Sequence, residues 1–177
     1  MKFAPAPADY KLPTEFVYVL IGGFAIVLNY VLTMYLFTMK ARIQSYRRRF
    51  MKQFDAEHAK AFPGKQKAPQ YGYPDCGNGR YSAKLPYADW LKMNNGQRAQ
   101  GNYLEHLSFY LIVFTMVGLV FPMYSFYLSL AVVVGRVLFA IGYTKAGPGA
   151  RLPGALLNDL AIAVGFVLCQ LAILGMF

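Results

Sequence analysis

The chain is short of charge and nearly without cysteine. Charged side chains make up 15% of its 177 residues, and the acidic ones are scarcer still: eight Asp and Glu stand against eighteen Lys and Arg. Of the two cysteines, Cys76 lies in a loop-like stretch and Cys169 inside an apolar run. A disulfide between them is not expected, and neither has metal-ligand spacing. No zinc-finger, RNP or basic-zipper pattern is present, so the net charge of +10 does not point to nucleic acid. Basic loops on one side of a membrane, facing anionic lipid heads, account for it better. The GNGR at 77–80 is not a phosphate loop, because no strand precedes it and no GK[ST] follows.

Apolar residues are what the chain has in excess. They reach 56%, with 16% aromatics and a mean hydropathy of +0.32, a balance typical of membrane proteins. Four apolar segments have about the 20-residue length that a bilayer requires: 16–39, about 98–121, about 123–143 and about 154–176. Backbone groups in lipid must bond internally, so these segments read as helices. The expectation is a single all-α integral membrane domain, a four-transmembrane-helix bundle with Pro122 at a tight turn. The N-terminal MKFAPAPADYKLP is a short Pro-rich tail, and the run behind it is too long for a signal-peptide core, so it reads as a retained span. Between the first two spans lies a long basic loop, 40–97, with 12 Lys and Arg against 4 Asp and Glu. Its first part can extend the first helix. Its Gly- and Pro-rich centre, 63–86, reads as irregular. The 144–153 loop adds Lys145 and Arg151, and the positive-inside rule places both loops on the cytosol-like side.

The polar residues of the spans are few and grouped. A charge at the bilayer centre costs about 2.5–3.5 kcal/mol on insertion scales, so Arg98, Gln100, Asn102 and Glu105 at the mouth of the second helix need partners, a ligand or nearby water. Arg98, Asn102 and Glu105 are spaced four and three apart, on one helical face. Arg136 and Tyr143, seven apart, share a face of the third helix. Topology brings Arg42, Arg98, Arg136 and Arg151 to a similar depth, with Asn102, Glu105 and Tyr143. Either some arginines snorkel to lipid phosphates while Glu105 pairs with Arg98 or Arg136, or the cluster binds a small ligand carrying carboxylates and an amine. His106 reads as a bonded packing residue. Asp159 reads as a cap of the fourth helix or a partner of a basic-loop arginine. Asn29 and Gln170 are candidates for bonds between helices.

QRAQGNYLE fits an Arg-x-x-x-Asn-x-x-Glu signature on the second helix, followed by GRVLFAIGYTKAGPGARLPGALL over Gly135–Leu157 and preceded by KAR at Lys40–Arg42. In these motifs the chain resembles the membrane-associated proteins in eicosanoid and glutathione metabolism (MAPEG), and among them the microsomal glutathione transferases. The resemblance covers all four spans, but neither the tail nor most of the first loop. It implies a homotrimer that binds glutathione as co-substrate between subunits, without a metal. Arg42, Arg98, Gln100, Asn102, Glu105, Arg136 and Tyr143 become candidate glutathione contacts, and Arg151 the candidate thiol activator. Transferase or peroxidase activity on a hydrophobic electrophile or lipid hydroperoxide would follow, in the endoplasmic reticulum or a mitochondrial membrane. Ile43, Phe139, Ile141 and His106 depart from the family's pattern, and each removes a polar or aromatic group. Those losses and the enlarged loop support a second reading: a non-catalytic scaffold, or an accessory subunit of a larger membrane complex such as a respiratory one, contacted through 40–97.

Overall fold

A computed structural model describes residues 14–176. Among these the chain is helical, with no strand. Helix α1 (Phe16–Thr33) passes through a π-helical turn, Met34–Met39, into α2 (Lys40–Ser45), giving one continuous rod. Short helices α3 (Arg48–Met51) and α4 (Asp55–Ala61) follow. Three long helices complete the chain: α5 (Tyr87–Gly118), α6 (Pro122–Ala146) and α7 (Leu152–Leu174), the last preceded by a 3-10 turn at Pro148–Arg151. Pro122 opens α6, where the missing N–H is no loss.

Three helical stretches are long and apolar enough to cross a membrane: Phe16–Ser45, Pro122–Ala146 and Pro148–Leu174. Most of the expected second span falls in α5, which has ample length but carries QRAQGNYLEH at its middle. α5 also begins at Tyr87, well before the expected 98, and ends at Gly118. The early start follows from packing: Met93 is buried in the loop's core, and Gly96 lies against the π-helical turn, where its carbonyl accepts a hydrogen bond from Thr38 Oγ1 (2.8 Å).

α6 is the hub of the bundle and packs on α1, α5 and α7. The bundle's inside is part apolar, with Ile26, Val113, Phe114, Val117 and Val132 buried, and part polar. Tyr103 donates to the Ile26 carbonyl and to Asn29 Oδ1 (both 3.0 Å), and Ser125 donates to the Phe114 carbonyl (2.6 Å). Its outside is apolar: Leu20, Phe24, Leu156, Leu160 and Ile173 are exposed. That inversion suits lipid as solvent, where small residues and interhelical hydrogen bonds hold helices together. The α6–α7 crossing shows the first device, since a methyl group at Gly154 would collide with the Gly135 carbonyl and the Phe139 nitrogen. Asn29 thus bonds between helices as expected, whereas Gln170 is exposed.

The 40–97 loop folds into a lobe with its own core of Tyr46, Met51, Phe54, Ala68 and Met93. Its Gly- and Pro-rich centre forms only 3-10 turns, at Gln70–Gly72 and Ser82–Lys84, but it is packed. Two groups pin it. The Arg42 guanidinium donates to the carbonyls of Tyr71 (3.2 Å) and Asp75 (2.7 Å) and lies 4.3 Å from the Tyr73 ring centroid. The Asp75 carboxylate accepts from the backbone N–H of Gly77 (2.8 Å), Gly79 (3.0 Å) and Ser82 (2.7 Å) and from the Ser82 hydroxyl (3.0 Å). Burial alone would push the Asp75 carboxyl up, but these four bonds hold it below the ordinary carboxylate range. Burial and the nearby Asp75 charge push the Tyr46 phenol up to about 12, so it stays protonated. Gly72 has φ of +68°, and any side chain there would strike the Tyr46 ring.

Candidate functional site

Arg136, on α6, is 2% exposed and has no carboxylate partner among the described residues. The ion pairs among the described residues are Arg48–Asp55 and Arg80–Glu57, both in the lobe. Neutral groups from α5 hold the guanidinium instead. Nε and Nη2 donate to the Tyr110 hydroxyl (3.1 and 2.5 Å), and Nη1 donates to Asn102 Oδ1 (2.8 Å). The rings of Tyr103, Tyr110 and Phe139 lie 4.7, 5.1 and 5.4 Å from it. The seven-residue spacing of Tyr103 and Tyr110 puts both rings on the α5 face that meets α6. Aromatic faces and charge-assisted hydrogen bonds offset part of the desolvation penalty, but they do not cancel the charge.

The uncancelled charge borders a cavity of about 250 Å³, lined by Asn102, His106, Arg136, Arg151, Asn158 and Asp159 with neighbouring apolar groups. Asn158 is 2% exposed, and neither its amide nitrogen nor its oxygen has a hydrogen-bond partner among the described residues. Leaving such groups unpaired costs about 1–3 kcal/mol. Both atoms are closed off, with Oδ1 against Gly135 at the α6–α7 crossing, so a ligand in the cavity meets them only if the side chain turns toward it. Arg151 is half-buried in the 3-10 turn ahead of α7, its guanidinium 5.6 Å from the Tyr143 ring and 5.8 Å from the Phe139 ring. The cavity therefore presents two arginines and two amides against one acid, Asp159. This arrangement suits a ligand with a carboxylate or another anionic group.

The structure brings Asn102, Arg136, Arg151 and Tyr143 together at this end of α6. Gln100 turns the other way, its Nε2 donating to the Tyr30 hydroxyl on α1 (3.3 Å). Arg98 and Glu105 are exposed on α5, and Glu105 pairs with neither Arg98 nor Arg136. Arg42 is 3% exposed and spent on the lobe's carbonyls, so it is not brought to the cavity. His106 is a bonded packing residue: its Nδ1 lies 2.8 Å from the Asn102 carbonyl, and its ring stacks on Tyr110. Asp159 does not cap α7, because that helix begins at Leu152 and Asp159 lies two turns inside it. Sequence reasoning missed Tyr110 and the role of Asn158. Neither residue belongs to a motif, and each acts where helices meet, which spacing along one helix does not show.

A family-level comparison matches residues 18–171 to the MAPEG family. The chain belongs to that family. No curated protein matches it. The family includes glutathione transferases and other membrane enzymes. Family membership and the three apolar helical stretches together mark the chain as an integral membrane protein. The cavity lies between α5, α6 and α7, within the matched residues.

Proposed function

We propose that the protein binds glutathione at the Arg136 cavity and uses its thiolate to attack hydrophobic electrophiles or lipid hydroperoxides. One observation carries this reading: a buried arginine with no ion-pair partner among the described residues lines a cavity together with Asn158, whose buried amide is unpaired there. Glutathione offers carboxylates for Arg136 and amide groups for Asn102 and Asn158. At about 250 Å³ the cavity is smaller than the roughly 300–1,000 Å³ of small-molecule sites. A neighbouring copy would complete it, and the exposed Arg98 and Glu105 would then serve at that interface, with Gln100 near it. In this arrangement α5 is the fourth span and the assembly a homotrimer. Tyr143 supports Arg151 from beneath.

Arg151 is the proposed thiol activator. A free thiol has a pKa of about 8.5, and a fixed guanidinium nearby favours the thiolate and lowers that value. In transfer, the sulfur forms a bond to the electrophilic carbon, and the leaving group departs with the electron pair or the adduct takes up a proton. In peroxide reduction, two glutathione molecules are oxidised to the disulfide while the hydroperoxide becomes alcohol and water. Calorimetry on the detergent-purified protein, with the ultraviolet absorbance of the thiolate recorded on the same sample, tests the reading. Binding with a thiolate signal at neutral pH is expected. Arg151→Gln should keep binding and lose the signal. No binding at millimolar glutathione overturns the proposal.

A second reading has its own observation. Arg42, which the family resemblance offers as a glutathione contact, is enclosed by an ordered lobe. An enlarged, packed lobe in that place suits an accessory subunit of a larger membrane complex. Native-gel migration separates the two: a free trimer supports the enzyme, and co-migration with a large assembly supports the subunit.

A further inference from the structure

Two cavities outside the Arg136 site meet at the basic end of the bundle. One, of about 380 Å³, is lined by Leu36, Phe37, Lys40, Gln44, Lys92 and Lys145 among others. The other, of about 610 Å³, shares Gln44 and Lys92 and adds Arg47 and Arg49. Among the described residues the only acid lining either is Asp89. No ion pair among the described residues engages Lys40, Lys92, Lys145, Arg47 or Arg49. Lys92 bonds a neutral partner, the Gln44 side-chain oxygen, so its charge is uncompensated.

The position of this double cavity decides what it can hold. Leu36 is exposed where the apolar rod faces outward, and Lys40 follows one turn later, where the chain becomes basic. Apolar wall and cationic wall therefore meet in one cavity, which matches the junction of acyl chains and headgroup. Beside the larger cavity, Tyr87 and Trp90 at the start of α5 stack on each other (centroids 5.9 Å apart), and Tyr87 is 73% exposed. Exposed Tyr and Trp of this kind anchor a protein at the headgroup layer. Five cations spread over two adjoining cavities exceed what one phosphate requires.

We infer that this double cavity is a binding site for an anionic phospholipid bearing two phosphates. Lys40, Lys92 and Lys145 hold one phosphate over the Leu36–Phe37 wall, and Arg47 and Arg49 hold the second. The site is separate from the Arg136 cavity and does not depend on glutathione binding.

The test uses the full chain in phosphatidylcholine nanodiscs, with diphosphatidylglycerol as the probe and lipid retention read by native mass spectrometry. Wild type should retain diphosphatidylglycerol in preference to phosphatidylcholine. A membrane-surface lysine is worth roughly fivefold, so K40Q/K92Q/K145Q should weaken retention about a hundredfold. The charge-matched K52Q/K60Q/K65Q, at lobe lysines that line neither cavity, should leave it nearly unchanged. Equal losses in the two triple variants would make the effect a diffuse surface potential and overturn the site. Displacement of the lipid by millimolar pyrophosphate would make it a soluble-anion site and overturn the lipid assignment. If the first triple variant fails to fold, photocrosslinking of wild type with a diazirine-bearing diphosphatidylglycerol decides. Crosslinks at Leu36–Gln44 and Lys92 support the site, and crosslinks confined to α7 overturn it.

Discussion

The protein buries two arginines, Arg42 and Arg136, and uses them in opposite ways. Both are almost fully enclosed, both lie against aromatic rings, and neither has a carboxylate partner among the described residues. Arg42 donates to backbone carbonyls of a loop, so its bonds fix a chain path. Arg136 donates to a phenol and a side-chain amide and borders a cavity, so its charge stays available to something that enters. Burial and missing counter-ions alone do not distinguish a structural cation from a binding one. The identity of the acceptors and the presence of adjoining space do.

Substitutions at these positions sharpen the contrast. Arg42→Met should have the largest structural effect. It removes two charge-assisted hydrogen bonds and a stacked ring, a loss of about 3 kcal/mol, and limited proteolysis should then cut the lobe between 62 and 86 while glutathione affinity stays within about threefold. Intact lobes in that variant would refute the pinning role. Arg136→Met should do the reverse. The lobe stays protected, global stability changes little because an uncompensated buried charge is removed, and calorimetric glutathione affinity falls about a hundredfold, near 2.7 kcal/mol.

Asp75→Asn should be next in size, at about 2 kcal/mol of lobe stability. The Asp75 carboxyl is held below its ordinary value in the folded lobe, so its contribution is present above the unfolded pKa of about 3.9 and fades as pH falls through the lower folded value. Protease protection of the lobe should therefore weaken in acid below about pH 4 in wild type and show a flatter profile in the Asn variant. The same acid sensitivity in both would reject Asp75 as its source. Tyr103→Phe should have the smallest effect, about 0.6 kcal/mol by thermal melting in detergent, the average worth of an interhelical hydrogen bond in a membrane protein.

The sequence showed the helical class and the tight turn at Pro122 through hydropathy and the position of one proline. It showed the lobe poorly. A stretch such as GKQKAPQYGYPDCGNGR has the composition of an open loop, and its order comes from Arg42 and Asp75, which act across 29 to 33 residues in one case and within a seven-residue turn in the other. Of the candidate site, Asn102, Arg136, Arg151 and Tyr143 could be grouped from helix spacing and antiparallel topology. Arg42 could not be separated from them, because depth along a helix is legible in sequence and rotation about its axis is not. Tyr110 and Asn158 were invisible for a related reason: their roles depend on which faces of α5, α6 and α7 meet.

That rotation leads back to the π-helical turn at Met34–Met39. Val19, Gly22, Ile26 and Asn29 face inward along α1, and their repeat, continued unchanged past Thr33, would bring Leu36, Lys40 and Ile43 inward. Those three are exposed, and Thr38, Ala41, Arg42 and Ser45 are buried in their place. The wide turn is a phase shift of about one residue, roughly 100° of rotation. It lets a single rod present one stripe to the bundle and a different stripe to the lobe. Deleting one residue within 34–39 would restore the original phase. Arg42 would swing out from under its carbonyls, and the two halves of the molecule would fall out of step while each kept its own sequence.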